Sequence, residues 1–454
     1  MPTQVLVPAG VLGLKFDRRA LARGLDRQPD IIAIDGGSTD SGPYYLGASV
    51  SKYSRAVTRA EWTELMIARN RNRIPLVLTT AGTCGTDACV DWMLEITREV
   101  AHDLGQTLRV ATIKSSQDNT KVAQNLDHGR IHELADAPSI DRETLLACDN
   151  IVALAGTEQV SAALSTDSDI IITGRATDTA AIAALPLMRG AHPGAAWHGA
   201  KIAECGALCS TRPLTGVISV NFDSDGFEVE AMADNAHCTP HSVSAHMLYE
   251  NADPFQLAEP GGVLDVSKAK YTALDAGRVR VRGSVWRPSD RYCVKLEGAR
   301  FTGYQTSILT ILRQERYVTR AAEWVKKLEN FLHAEIDGID NPDIHLEFRL
   351  IGANAALGQL ERCRATGCEV GVLCLVTAPA QETANQIAKL INPYLLHFPL
   401  SEDESLPTFA FPYSPAESER GQIYEFCLQH VMELDHPLDA FRLETHEIGR
   451  ATSR

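Results

Sequence analysis

The feature that most constrains the fold is a pattern repeated through the first 180 residues. A short run rich in Val and Ile ends in a polar turn, and a helix-like segment then follows. Apolar runs that are continuous rather than alternating are typical of strands buried on both faces, as in parallel sheets. The runs occupy residues 5–7, 31–34, 76–80, 110–113, 151–154 and 169–173.

Strands that alternate with helices predict an α/β fold with a doubly wound, mostly parallel sheet of the Rossmann-like kind. Residues 87–104 supply one crossover helix, because their apolar positions are spaced by three and four and Gly105 follows as a stop signal. We predict that this Rossmann-like domain spans residues 1–212 and carries ligand-binding loops at the strand ends.

Residues 213–454 are predicted to form an α+β domain that completes the cleft and contributes to subunit contacts. Residues 295–304 read as a strand, a turn and a helix start. The acidic, proline-containing stretch 399–415 reads as a long loop. The other predicted elements are helices at 319–334, 380–396 and 422–433 and strands at 345–351, 369–376 and 441–448.

The turns after the strands are the predicted ligand site. In a parallel sheet the carboxyl ends of the strands meet at one edge, where the helix N-termini also point. Glycine lets a ligand approach the backbone, while Ser, Thr and Asp cap a helix or contact the ligand. For Thr86 and Asp87 helix capping is a competing interpretation. The predicted substrate-binding residues in these turns are Asp35, Gly36, Ser38, Asp40, Gly82, Thr83, Gly85 and Thr86.

Three further candidates for chemistry lie in the middle of the chain. Glu204 suits a general acid or base if burial raises its pKa, and His198 precedes it in the same segment. Cys205 is either a nucleophile or an inert buried thiol, depending on whether its thiolate is stabilised.

A histidine cluster and an arginine complete the candidates. His237, His241 and His246 are spaced by four and five with Pro240 between them, so three ligands do not share one helical face. We therefore predict no metal site, and we assign His241 to substrate binding. Arg300 is assigned to a substrate carboxylate, with a solvent-exposed arginine as the alternative.

Composition excludes several classes of function. The formal net charge is −15, and an acidic surface repels phosphate backbones and anionic lipid, so neither nucleic acid nor membrane is an expected partner. No GxGxxG or GxxxxGK[ST] motif follows a strand, and we expect no cofactor. The eleven cysteines form no CxxC pair, and the N-terminus lacks a basic region before its apolar run. We therefore expect a cytoplasmic protein.

Three segments, taken in order, resemble the acyclic terpene utilisation (AtuA-like) family. They are the turn GRATD at 174–178, the stretch WHGAKIAECG at 197–206 and the segment LYENADP at 248–254. The resemblance covers roughly residues 4–380, and the segment DGGSTDSGPYYLG resembles that of a divergent branch of the family. It implies Arg175, Asp178, Glu204 and Cys205 as site residues.

These observations predict an enzyme acting on a small carboxylate or its acyl-CoA thioester. The reaction is proton abstraction or addition and elimination of water, as in a hydratase, lyase or isomerase. Glu204, Cys205, His198 and Asp178 are the predicted catalytic residues, and Arg175 anchors the carboxylate through paired donors. The alternatives are a non-catalytic or partner-dependent subunit of a catabolic assembly and a metal-dependent hydrolase. We expect a homo-oligomer, with or without a small partner subunit.

Overall fold

The computed structural model describes residues 2–336, 338–339, 341–363 and 367–449. The chain divides into two compact units, of which unit 1 comprises Met1–Arg300 with Phe426–Arg454 and unit 2 comprises Phe301–Glu425. The domain boundary after residue 212 stays a prediction, and the division into compact units falls at other positions.

The described residues form nineteen strands. They are β1 (Thr3–Val7), β2 (Ile31–Asp35), β3 (Leu76–Thr79), β4 (Leu108–Lys114), β5 (Ile131–Glu133), β6 (Asn150–Ala153), β7 (Ile170–Thr173), β8 (Ile218–Phe222), β9 (Gly226–Ala231), β10 (Gln256–Glu259), β11 (Gly262–Asp265), β12 (Lys270–Ala273), β13 (Arg278–Arg282), β14 (Val285–Pro288), β15 (Tyr292–Leu312), β16 (His345–Ile351), β17 (Val370–Ala378), β18 (Glu417–Leu434) and β19 (Arg442–Ile448).

Thirteen α-helices lie in the same described part of the chain. They are α1 (Arg18–Asp26), α2 (Tyr44–Ala48), α3 (Arg55–Asn72), α4 (Asp87–Leu104), α5 (Asn119–Asp127), α6 (Arg142–Leu146), α7 (Thr157–Leu164), α8 (Ala180–Met188), α9 (Pro193–Ala203), α10 (Pro240–Ala245), α11 (Glu315–Thr319), α12 (Ala321–Glu335) and α13 (Gln381–His397). Short 3-10 helices occupy Thr39–Ser41, Gly206–Cys209, Pro213–Thr215, His246–Leu248 and Gly358–Leu360.

Unit 1 is a mixed α/β structure built on a ten-stranded mixed sheet of order β12-β13-β9-β8-β1-β2-β3-β7-β4-β19. Its five inner strands, β1, β2, β3, β7 and β4, are parallel. Antiparallel strands flank this parallel part, with β8 paired to β1 and β19 paired to β4. The runs of apolar side chains in β2, β3 and β7 are buried along their whole length, as the sequence pattern predicts for parallel strands.

One of the six predicted parallel strands lies outside this sheet. The run at 151–154 forms β6, which pairs antiparallel with β15 through Leu296↔Ala153 and Ala299↔Asn150. A continuous apolar run indicates burial on both faces, but it does not indicate the neighbouring strand. The prediction that all strand-end turns share one parallel edge is therefore wrong for β6.

Two further elements also differ from prediction. Residues 422–433 are part of strand β18 and not a helix. Their apolar side chains recur every four residues, which resembles a helix, but Leu428, His430 and Met432 are buried in the period-two pattern of a strand. The predicted turn near Gly298 is instead continuous strand β15, and a Cβ at Gly298 would lie 2.6 Å from the side chain of Leu428.

Unit 2 is an α+β structure with its own hydrophobic core. Strand β17 pairs antiparallel with β16 and with the second half of β15. Helix α12 buries Trp324, Leu328 and Leu332 in this core. The predicted helices at 319–334 and 380–396 correspond to α12 and α13, within a few residues at each end. No helix in the described part of the chain is long and apolar enough to cross a bilayer.

Candidate functional site

A cavity of about 340 Å³ lies in unit 1, beside residues that follow β1, β2 and β7. The end of α9 and two later segments complete its wall. Its lining residues are Ala9, Gly10, Val11, Leu14, Lys15, Asp35, Gly37, Ser38, Asp40, Asp178, Glu204, Cys205, Leu208, Pro213, Leu214, Gly216, Tyr249 and Glu250. Strand ends of a parallel sheet are where ligands bind in open α/β folds. The cavity is therefore the candidate site.

Asp35, the last residue of β2, is held in place by two hydrogen bonds. Its carboxylate accepts from Thr79 Oγ1 at 2.7 Å and from the Gly37 backbone N–H at 2.8 Å. Burial, and then the charge of Asp178, raise the pKa of Asp35 well above its ordinary value. Next to it, a Cβ at Gly36 would lie 2.2 Å from the Thr80 carbonyl oxygen, so Gly36 permits close backbone packing and does not line the cavity.

Asp178 also lines the cavity, and Arg175 lies behind it. The Arg175 Nη1 atom is 3.5 Å from Asp178 Oδ1. Burial raises the pKa of Asp178 above its ordinary value, against the attraction of Arg175 and Lys201. Two of the predicted site residues thus bring carboxyl groups, Asp35 and Asp178, to one cavity.

Arg175 itself is paired with a residue that the sequence analysis did not select. Its Nε donates to Glu297 Oε2 at 3.0 Å, and both side chains are buried. Burial raises the pKa of the Glu297 carboxyl, but the attraction and hydrogen bonds of Arg175 and Lys295 together outweigh burial and lower that pKa to about 2. The guanidinium does not line the cavity, and it already contacts a protein carboxylate where a substrate carboxylate was predicted.

Glu204 follows directly after helix α9 and reaches the cavity wall. Its Oε1 lies 2.5 Å from Nζ of Lys201, one helical turn earlier. Burial raises the pKa of Glu204 well above its ordinary range, against the attraction of Lys201. The sequence analysis missed Lys201, although its i, i+3 spacing from Glu204 was a signal that the two share a helical face.

Cys205 lies beside Glu204 and is partly exposed to the cavity. Burial and the neighbouring acids Glu204 and Asp178 raise the pKa of the Cys205 thiol. A raised pKa keeps the thiol protonated, and the thiolate is the nucleophilic form. A Cβ at Gly10 would lie 2.9 Å from the Cys205 Cα, so glycine allows the strand-end loop to approach this residue.

His246 is the histidine that joins this group. One ligand atom from each of Glu204, Cys205 and His246 lies within 4.8 Å of the other two. The His246 ring is buried, and burial lowers its pKa to about 4. His241, which was predicted instead, is exposed on α10 and is not a lining residue. Pro240 starts α10 and His246 starts the 3-10 helix that follows, and sequence spacing did not show this change of helix type.

His198 lies in the core and not at the cavity. Its Nδ1 is 2.7 Å from Ser284 Oγ, and its Nε2 is 3.2 Å from the Tyr271 hydroxyl. Burial lowers the pKa of His198 to about 3. With both ring nitrogens partnered and Phe227 packed edge-on, the structure places His198 as a packing residue.

The loop after β3 packs against the GRATD turn and does not reach the cavity. The Arg175 backbone N–H donates to the Gly85 carbonyl at 2.9 Å, and a Cβ at Gly85 would lie 2.1 Å from that same nitrogen. Thr86 accepts from Ser49 Oγ and is the N-cap residue of α4 without a side-chain cap bond. Gly82 and Thr83 have positive φ angles. The predicted residues in this loop, Gly82, Thr83, Gly85 and Thr86, do not line the cavity.

Of the remaining predicted site residues, two line the cavity and one does not. Ser38 and Asp40 line the cavity, as do Tyr249 and Glu250 of the LYENADP segment. Arg300 is half-buried at the end of unit 1 and is not a lining residue.

A larger cavity, of about 840 Å³, lies in unit 2 between α12, α13 and the loop that follows. It is bounded mainly by apolar and aromatic side chains such as Phe331, Tyr394 and Phe398, and it contains none of the predicted site residues. Convergent buried titratable groups mark a reaction site better than volume does. The smaller cavity in unit 1 is therefore the better candidate.

A family model described as "Acyclic terpene utilisation family protein AtuA" matches residues 48–207 and 220–408. No curated protein and no solved structure matches the chain. The match covers more than half of the chain and includes the GRATD turn, Glu204 and Cys205. The predicted resemblance is confirmed, and the chain belongs to the acyclic terpene utilisation family AtuA.

Proposed function

We propose that this protein is an enzyme that acts on a small carboxylate or its acyl-CoA thioester, in catabolism related to acyclic terpenes. The reaction is proton abstraction or addition and elimination of water, of the hydratase, lyase or isomerase type. The observation that carries the proposal is that the buried carboxyl group of Asp35 and the partly buried carboxyl group of Asp178 line one cavity at the strand ends.

Such a pair supplies both an acid and a base. Two carboxyl groups in one desolvated site do not both ionise readily, because burial and like charge disfavour the second negative charge. Burial is the first cause of the raised pKa of Asp35, and the charge of Asp178 is the second. One carboxylate then removes a proton from carbon while the other, still protonated, donates to oxygen.

The substrate's negative charge needs a cation, and Lys15 is the basic residue on the cavity wall. Its side chain is exposed, and its backbone N–H donates to Glu61 Oε1 at 2.8 Å, which fixes the loop. We infer that Lys15 meets the substrate carboxylate or the CoA phosphates. Arg175 then positions Asp178 from behind the cavity.

We extend the proposal to the fold, the cell compartment and assembly. The parallel strands β1, β2, β3, β7 and β4 with their crossover helices support a Rossmann-like, doubly wound nucleus inside the mixed sheet. The eleven cysteines are free thiols, which supports a reducing, cytoplasmic compartment. Homo-oligomerisation, with or without a small partner subunit, rests on the prevalence of symmetric oligomers.

The test combines binding with proton exchange. Purified protein is screened by thermal shift with succinate, citrate, acetyl-CoA and an acyclic terpenoid carboxylate, since a ligand of the native state raises Tm. Any compound that binds is then incubated in D₂O, and we expect solvent deuterium to appear by NMR at the carbon next to its carbonyl.

Asp178→Asn is the diagnostic variant, with the exposed Asp435→Asn as its matched control. Loss of a general base lowers rates by about 10²–10⁴-fold. We expect that loss in Asp178→Asn and wild-type exchange in Asp435→Asn. Exchange at the wild-type rate in both variants would show that this carboxyl pair does not perform the reaction.

A further inference from the structure

We infer that Glu204, Cys205 and His246 bind one divalent metal ion of the zinc type at the wall of the unit 1 cavity. A carboxylate oxygen, a sulfur and an imidazole nitrogen, one from each residue, lie within 4.8 Å of one another. Zinc donors lie about 2.0–2.3 Å from the ion, so movements of about 1 Å or less bring these three atoms onto one coordination sphere.

An unpartnered ring nitrogen of His246 supports the metal site. The side chain is 4% exposed, and its Nε2 has no hydrogen-bond partner among the described residues. The ring hydrogen-bonds to the backbone of Lys201, which leaves Nε2 as the free nitrogen. Histidines that bind metals almost always use the second ring nitrogen in this way, to fix the tautomer and orientation of the ring. A buried ring nitrogen without any partner is otherwise costly.

The donor set selects the type of ion. Thiolate and imidazole favour zinc, cobalt and related transition metals, whereas magnesium and calcium require sites built from oxygen alone. Three protein donors are the usual number in a catalytic zinc site, where the fourth position is open. Because Glu204 and Cys205 line the cavity, an ion held by them would be accessible from the space that a substrate would occupy.

The hydrogen bonds around the cluster are compatible with an ion. Lys201 contacts Oε1 of Glu204, which leaves Oε2 without that contact and available to an ion. On binding, the Cys205 S–H bond breaks, a sulfur–metal bond forms and the proton leaves to solvent through the cavity. No electrons are transferred.

The charge of the cavity supports the same conclusion. Its acidic lining residues are Asp35, Asp40, Asp178, Glu204 and Glu250, and Lys15 is the basic lining residue. A divalent cation offsets part of this negative charge and lets a carboxylate or thioester oxygen enter. Polarisation of that oxygen rests on the proposed function, but ion binding itself does not. The inference replaces the expectation, drawn from the spacing of the histidines alone, that the protein has no metal site.

Cobalt provides a direct test on the full chain. Purified protein is stripped with a chelator, dialysed and titrated with Co²⁺, whose complexes with thiolate show a charge-transfer absorption. We expect one equivalent to bind with that absorption, and Zn²⁺ to displace it. No saturable binding by the wild-type protein, or binding without the thiolate absorption, would overturn the inference without reference to any variant.

Variants then assign the ligands. Cys205→Ser is expected to abolish the thiolate absorption. His246→Gln is expected to weaken binding by more than about 100-fold, the upper range for residues outside the first coordination sphere. The exposed Cys363→Ser and His128→Gln are the matched controls and are expected to bind as the wild type does. An absorption that survives in Cys205→Ser and disappears in Cys363→Ser would place the site elsewhere.

The two proposals fail separately. Normal cobalt binding with no deuterium exchange in any bound compound would contradict the proposed reaction and leave the metal site standing. Normal exchange by chelator-treated protein that binds no Co²⁺ would contradict the metal site alone. Tm values of the metal-free variants identify any substitution that acts by unfolding the protein.

Discussion

At the scale of single residues, the buried ion pair between Arg175 and Glu297 holds the turn behind the cavity wall in place. Taking one charge out of a buried pair leaves the other without compensation, which typically costs about 3–5 kcal/mol. Both side chains are buried, and Glu297 also lies 3.2 Å from Lys295 Nζ. The pair therefore holds the GRATD turn and, through it, Asp178.

We expect Glu297→Ala to lower the free energy of unfolding by about 3–5 kcal/mol, measured by urea denaturation. The control is Arg18→Ala, which breaks an exposed pair with Glu64 and should cost at most about 1 kcal/mol. Equal, small effects of both substitutions would mean that the pair does not hold the turn.

Asp35 gives the pH dependence of stability. Burial raises its pKa in the folded protein, so the folded state binds the proton more tightly than the unfolded state does. The stabilisation from that proton is full below the ordinary carboxyl pKa of 3.8 and is lost as pH rises through the folded pKa.

The substitution Asp35→Asn removes this loss of stability at high pH. We expect the variant to have a higher Tm than wild type at pH 8 and a similar Tm near pH 4, while proton exchange on a bound substrate disappears. Each tenfold difference in proton affinity between the folded and unfolded states is worth about 1.4 kcal/mol. A lower Tm of Asp35→Asn at pH 8 would show that the ionised carboxylate is stabilising.

At the scale of elements, the loop after β3 is packed against the GRATD turn through Gly85. Its φ is +65°, and a Cβ there would lie 2.1 Å from the Arg175 nitrogen. Gly105, at the end of α4, has φ +62° and no atom within 4 Å of the same position.

The two glycines therefore separate backbone strain from steric conflict. We expect Gly105→Ala to cost about 1 kcal/mol, the price of a left-handed conformation. Gly85→Ala should cost about 3 kcal/mol or more, because overpacking is added. Chemical denaturation measures both costs, and equal costs would show that the loop moves away freely.

Much of the element level follows from the sequence, and the exceptions have physical causes. The inner strands β1, β2, β3, β4 and β7 are readable because burial on both faces demands continuous apolar runs. The strand that pairs with β6 cannot be predicted from the sequence pattern, because tertiary contacts determine the pairing. In β18 the apolar spacing imitates a helix, so periodicity alone selected the wrong element.

The site shows the same division between local and distant information. Asp35 ends strand β2, whereas Asp178, Glu204 and Cys205 stand in turns, and the local composition marks all four. Glu297 lies 122 residues after Arg175 in the chain, and His246 lies 42 residues after Glu204. No local sequence pattern predicts that the fold brings them to the site.

At the scale of the whole molecule, each unit has its own hydrophobic core. Trp62 lies in the core of unit 1 and donates to Thr97 Oγ1 at 2.9 Å. Trp324 lies in the core of unit 2 and donates to the Phe398 carbonyl at 2.8 Å. The two tryptophans are matched in burial and in bonding.

We expect Trp324→Ala to destabilise its unit by about 3–5 kcal/mol and to speed amide exchange in α12 and β17, while β2 and β3 stay protected. Trp62→Ala should do the reverse. Hydrogen-exchange mass spectrometry measures both, and loss of protection throughout the chain in each variant would mean that the two cores unfold as one.

The central claim is that substrate binds in the unit 1 cavity formed by Asp35, Asp178 and Glu204. The most direct measurement is amide hydrogen exchange with and without the compound that gives the largest thermal shift. We predict slower exchange at residues 35–40, 174–178 and 204–208, with no change at 393–406 around the unit 2 cavity. Protection confined to 393–406 would contradict the claim and move the site to unit 2.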